Sequence, residues 1–226
     1  MNYNDGQYRV KAEKELSEVQ YQMNEDAIDR MRKRPKNWAN IMMAAANILV
    51  FLLVELTGSS EDTSHMITWG AAYTPLISDG QFYRLFTCMF LHFGFEHLFN
   101  NMLLLIFIGD YLERYVGKLR YLAVYLIGGL GGSVASYIFN VETGQAVVSA
   151  GASGAVFAVI GGMLYIVIRN KGRLEDISLQ RLMLMVALSI YFGFASGGVD
   201  NAAHIGGLVC GMIICILVYR KRATHK

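Results

Sequence analysis

The sequence predicts an all-α membrane protein, a bundle of six transmembrane helices with both termini in the cytoplasm. Three observations predict it. The 226 residues are 54% hydrophobic and only 17% charged, with a mean hydropathy of +0.35, whereas a soluble domain carries about 25% charged residues. The charges gather at the ends and in short clusters between long apolar runs. The basic clusters also alternate in side from one apolar run to the next.

Six runs carry the count: roughly residues 37–56, 96–113, 120–139, 149–168, 182–197 and 199–219. Each is near the ~20 residues that cross a ~30 Å hydrocarbon core, and the fifth is the shortest. The two prolines, Pro35 and Pro75, lie outside all six, so no run is broken by proline.

Lys and Arg set the orientation. Residues 1–36 hold eight of them, from Arg9 to Lys36. The second connection adds Arg114, Lys118 and Arg120, the fourth Arg169, Lys171, Arg173 and Arg181, and the tail Arg220, Lys221, Arg222 and Lys226. Connections one, three and five together contain only Arg84, so nineteen of the 20 basic residues fall on one side. The positive-inside rule makes that side cytoplasmic. The net charge of +2 therefore reflects topology and gives no sign of a nucleic-acid partner.

Between and beyond the spans, residues 1–36 read as a cytoplasmic segment. Its stretch Ala12–Arg34 is polar and helix-prone, equally compatible with a short helix near the membrane and with a solvated tail. It lacks the pattern of a cleavable signal, so the first apolar run is expected to direct insertion. The connection 57–95 is long but rich in aromatics, among them Trp69, Tyr73, Phe82, Tyr83, Phe86, Phe90, Phe93 and Phe95. It is expected to be structured and to lie partly in the membrane interface on the external side. The pair Gly197-Gly198 predicts mobility in the fifth connection. Residues 220–226 form a basic cytoplasmic tail. Cys88, Cys210 and Cys215 are odd in number, two lie within a span, and they read as small hydrophobes rather than a disulfide framework.

Polar groups inside spans are costly and mark function by default. The second span opens with Glu96-His97 and Asn100-Asn101, the fourth with Ser149, Gly151, Ser153 and Gly154, the sixth with Asp200, Asn201 and His204. These three spans run in the same direction, from outside to inside. At 1.5 Å per residue, His97, Asn101, Ser153 and His204 therefore fall in one shallow external layer. His97 and Asn101 are i,i+4 and share a helix face. His204, Gly207 and Gly211 form a stripe of small residues that lets helices approach closely. Approach of spans four and six would bring His204 to Ser153, and a serine hydroxyl becomes a nucleophile when a base takes its proton. Glu113, closing the second span, reads as structural, pairing with Arg114 or with loop amides.

At these residues the chain resembles the rhomboid family, across nearly all of 37–219. The family's GxSG appears as Gly151-Ala152-Ser153-Gly154, its AHxxGxxxG in Ala203-His204-Ile205-Gly206-Gly207 followed by Gly211, and its HxxxN in His97 to Asn101. The glutamate near the end of the second helix fits Glu113. The resemblance implies a six-helix prokaryotic-type intramembrane serine protease that needs no cofactor or metal, set in a bacterial plasma membrane. It implies Ser153 as nucleophile and His204 as general base in a dyad. His97 and Asn101, with the Ser153 backbone N–H, would form the oxyanion hole, and Gly151 would admit the substrate backbone. The partners implied are transmembrane segments of membrane proteins, within the lipid bilayer, cut near the external face. Two positions depart from the family pattern. Its WR pair reads Tyr83-Arg84, and the aromatic beside the catalytic histidine, often tyrosine, is Phe157.

Rival readings stand beside this one. A catalytically inactive rhomboid-like scaffold that binds membrane clients would usually lack the serine or the histidine. A transporter would place its polar groups near the midplane. A metalloprotease would need H-E-x-x-H, which the string from His92 to His97 does not supply.

Overall fold

The computed structural model describes residues 37–174, 177–196 and 199–219. The expected cytoplasmic segment 1–36, the tail 220–226 and the Gly197-Gly198 pair lie outside the described residues.

The described chain is almost entirely helical. Its helices are α1 (Trp38–Thr57), α2 (Thr63–Thr68), α3 (Thr74–Ser78), α4 (Arg84–Thr87), α5 (Gly94–Val116), α6 (Lys118–Glu142), α7 (Ser153–Arg169), α8 (Leu179–Ser196) and α9 (Asn201–Val218). Two short antiparallel pairs accompany them: β1 (Ala72–Tyr73) with β2 (Val148–Ser149), and β3 (Arg173–Leu174) with β4 (Ile177–Ser178). α1, α6 and α9 are each long and apolar enough to cross a membrane. α5 becomes a fourth candidate when joined to the segment Arg84–Phe90, from which it is bent by 88°. α7 and α8 are apolar but shorter.

α7 begins later than the apolar run that announces it. Val148 and Ser149 are drawn into the strand pair, with Ser149 opposite Ala72. Gly151 then takes φ +149°, a conformation that side-chain-bearing residues rarely adopt. The helix can start only after this turn, and Ser153 becomes its first residue.

α7 is also the centre of the bundle. Nearly every residue from Gly154 to Val167 is buried, as expected of a helix that is apolar on all faces. α9 lies against it through glycine. A Cβ on Gly207 would overlap the Gly154 carbonyl, and one on Gly211 would overlap the Ala158 carbonyl. From the other side, a Cβ on Gly161 would overlap the Leu208 carbonyl. α6 closes the trio, where a Cβ on Gly132 would come within 2.7 Å of the Ala203 carbonyl oxygen. Backbones in such contact are held by dispersion and close packing, the means available where lipid removes the hydrophobic drive between helices.

α1 is inverted relative to a soluble helix. Ile41, Leu49 and Leu52 are exposed, while Asn40 and Asn47 are buried. Asn47 donates to the Tyr125 hydroxyl at 2.9 Å, and Tyr121 donates to Asn40 Oδ1 at 2.6 Å. Buried polar groups are thus paired across helices while the apolar side chains face outward.

Of the two partners the sequence suggested for Glu113, Arg114 or loop amides, it takes backbone amides, those of a helix start. Its carboxylate accepts from the Ala39 and Asn40 amides, at 3.2 and 2.7 Å. These N–H groups belong to the first turn of α1 and have no intrahelical acceptor. The Asn37 side chain at the N-cap does not serve them, so a carboxylate from α5 takes over the capping role, favourably placed at the positive end of the helix dipole. Arg114 pairs within its own helix with Asp110, at 3.1 Å.

The connection 57–95 is folded onto the bundle around Arg84, which is buried. Its Nη1 donates to the carbonyls of Ile67 and Ala71, at 2.7 and 3.0 Å, and its Nε to Gln81 Oε1 at 2.8 Å. One planar fork thereby satisfies three acceptors on separate turns.

Candidate active site

Three helix beginnings meet at one end of the bundle. Ser153 opens α7, His204 sits in the first turn of α9, and His97 sits in the first turn of α5. Ser153 is the first helical residue, so its N–H has no intrahelical acceptor and is free to meet an anionic oxygen.

The turn before Ser153 is held from below by the segment Cys88–His92. Gly151 N–H donates to the Cys88 carbonyl at 2.9 Å. Ala152 N–H donates to His92 Nε2 at 3.2 Å. An imidazole that accepts at Nε2 is neutral and carries its proton on Nδ1. His92 is fully buried, and its ring meets that of His97 edge to face, with centroids 5.3 Å apart. From the sequence, His92 is weighed only within the H-E-x-x-H comparison and not as a residue of this site. The bend before α5 is what brings the two rings together.

His97 stands directly over the turn. A Cβ on Gly151 would come within 2.8 Å of His97 Cε1 and within 3.7 Å of Ser153 Oγ. Gly151 is therefore required twice, once for its φ and once for the space that the imidazole occupies. Asn101 lies one turn further along α5 and is buried, and its Nδ2 donates to the His97 carbonyl at 2.9 Å. The amide has a second N–H, which remains for another acceptor. The neighbouring Asn100 is exposed.

His204 is buried and lies flat against Phe157, with centroids 4.1 Å apart and planes 8° from parallel. Phe157 is one turn below Ser153 on α7, so the helix that Ser153 opens also carries the ring stacked on the histidine. Gly207 and Gly211, on the His204 face of α9, set the backbone contact with Gly154 and Ala158. Among the described residues no hydrogen bond joins Ser153 to His204, and His204 Nδ1 has no hydrogen-bond partner. A cleft beside Ser153 is lined by Ala72, Gly151, Ser136, Asn140 and Asp200 among others. No group of three or more metal-ligating side chains occurs among the described residues.

A serine at a helix start, a histidine on the adjoining helix, and imidazole and amide donors overhead make the arrangement of a membrane-embedded helical bundle with a hydroxyl and a base at one end. The comparisons with known proteins say which bundle. The family model described as the Rhomboid domain matches residues 79–221. The chain belongs to the rhomboid family and is an integral membrane protein. It is 37% identical over 170 residues to Rhomboid protease GluP of Bacillus subtilis, covering 75% of this chain and 32% of that protein. It is 32% identical over 199 residues to Rhomboid protease AarA of Providencia stuartii, covering 78% and 70%. RHOMBOID-like protein 5 of Arabidopsis thaliana is 40% identical over 147 residues, covering 64% and 47%. The chain thus spans a third to a half of the length of two of these relatives.

Proposed function

We propose that the protein is an intramembrane serine endopeptidase that cleaves transmembrane segments of membrane proteins through a Ser153–His204 dyad. The observation that carries this reading is the meeting of Ser153, His97 and the His204–Phe157 stack at three adjoining helix starts. In the proposed reaction Ser153 Oγ attacks the scissile carbonyl carbon as His204 takes its proton. The Ser153 N–H, His97 and Asn101 face the oxyanion, where loss of one donor typically costs ~10²–10³ in rate. His204 passes the proton to the departing amine nitrogen, and water then hydrolyses the acyl-enzyme by the same route. A helical substrate must unwind locally, because its scissile amide has to leave its i→i−4 hydrogen bond.

The topology proposed with it has six spans: α1, α5, α6, α7, α8 and α9. The positive-inside rule then places both termini in the cytoplasm and the site near the external face. Residues 1–36 and 220–226 would be cytoplasmic, and residues 57–95 an external connection. A bacterial plasma membrane is the proposed setting, and the Bacillus and Providencia relatives support it.

The second reading is an inactive membrane-client scaffold. One observation favours it: the serine and histidine side chains are not hydrogen-bonded to each other among the described residues. Catalytic hydrogen bonds are often long before substrate binds and tighten only in the complex, so the missing contact does not exclude the protease.

Labelling with a fluorophosphonate probe in liposomes separates the two. The wild type is expected to label, Ser153→Ala not at all, and His204→Ala far more slowly. Labelling that persists in Ser153→Ala would overturn the assignment, and a wild type that neither labels nor cuts a single-span model substrate would establish the scaffold.

A further inference from the structure

The turn before His204 carries one carboxylate, Asp200, which makes no hydrogen bond to the imidazole among the described residues. It holds the backbone that carries His204 instead. The Asp200 carbonyl accepts from His204 N–H at 3.1 Å, closing the first turn of α9. Its carboxylate accepts from Ala203 N–H at 2.9 Å, the N-cap bond. The other carboxylate oxygen accepts from the Ser136 hydroxyl, on the buried face of α6. Ser136 Oγ in turn accepts from Asn140 Nδ2 at 3.4 Å. One side chain therefore fixes the start of α9 and ties it across to a second helix.

We propose that Asp200 is the positioning residue of His204, locking the turn that carries the base to α6 through Ser136. The proposal rests on His204 acting as the base. Two observations make the lock necessary. His204 Nδ1 has no hydrogen-bond partner among the described residues, so no side chain steers the imidazole from that nitrogen. The Phe157 face limits the tilt of the ring but leaves it free to slide within its own plane. Sliding is prevented by fixing the backbone, and a misplacement of about 1 Å at a catalytic group can cost ~10² in rate. Asp200 thus supplies orientation through the main chain, where other serine hydrolases use a carboxylate on the imidazole itself.

The test compares the full chain in liposomes with Asp200→Ala, Asp200→Asn and Ser136→Ala. It reads the probe-labelling rate at Ser153, kcat and KM on a single-span model substrate, and the thermal midpoint. Asp200→Ala is expected to lower kcat by about 10- to 100-fold with KM within about twofold. Asp200→Asn keeps a capping oxygen and is expected to recover most of the loss. Ser136→Ala cuts the cross-link and leaves the cap, and is expected to lower kcat several-fold with little change in midpoint. Wild-type kcat in both Asp200→Ala and Ser136→Ala would overturn the proposal while leaving the dyad standing. So would a loss in Asp200→Ala that follows the thermal midpoint and is not recovered by asparagine. A wild type that does not label at Ser153 would remove the dyad, and the positioning role with it.

Discussion

The Phe157 ring and the His204 imidazole are stacked almost in parallel, with 4.1 Å between their centroids. A face-on aromatic contact contributes about 0.5–1.5 kcal/mol beyond its buried area, and here it is spent on the orientation of one imidazole. Phe157→Leu keeps the bulk but loses the flat face. It is expected to lower kcat by up to about tenfold at nearly constant KM, measured on a single-span model substrate. Phe157→Tyr is expected to retain the stack and most of the activity.

The contact between α7 and α9 has no room for a methyl group at Gly207 or Gly211. Overpacking a filled interior costs about 1–3 kcal/mol. Gly207→Ala and Gly211→Ala are each expected to lower the thermal midpoint and, by prising the two helices apart, to reduce labelling at Ser153. Gly154→Ala is the control, because its Cβ would make only ordinary contacts, the nearest at 3.6 Å from the Ala203 carbonyl oxygen. It is expected to unfold at or near the wild-type midpoint.

Arg84→Ala would strand the buried carbonyl of Ala71 and remove a donor from the Ile67 carbonyl and from the Gln81 side-chain oxygen. Each buried acceptor left unpaired costs about 1–3 kcal/mol. The connection 57–95 should then open to limited proteolysis well below the temperature at which the bundle melts. Arg84→Lys is expected to rescue it poorly, since a single ammonium cannot reproduce the planar fork.

His92→Ala removes the acceptor for Ala152 N–H and loosens the turn that presents Ser153. Probe labelling is expected to fall about tenfold, consistent with an unsatisfied buried donor costing about 1–3 kcal/mol. A labelling rate equal to wild type would show that the turn is held without His92.

The grouping of Ser153, His204 and His97 near three adjoining helix starts, with Asn101 a turn further along, was legible in the sequence. Charge asymmetry turned three apolar runs the same way, and helical rise did the rest. Partnerships across the bundle were not legible. Glu113 was read as pairing with Arg114 or with loop amides, and which amides was not legible: it caps a helix 73 and 74 residues earlier in the chain, and no local pattern encodes that. His92 was read as part of a failed metal motif, because its contact with His97 depends on an 88° bend that no periodicity reports. Asp200 was read only as a polar residue opening the sixth span, because its link to Ser136 becomes visible only once α6 and α9 are packed.

The turn before Ser153 is anchored to a residue 60 positions before Ala152, and the strand pair beside it joins stretches still further apart in the chain. Long-range contacts of this kind form late, because the chain between them must first be brought to order. The helices can therefore be inserted and bundled while the turn before Ser153 is still unshaped. On the proposed protease reading, the hydroxyl becomes reactive only once residues 57–95 have docked, so activity is tied to the completion of the fold.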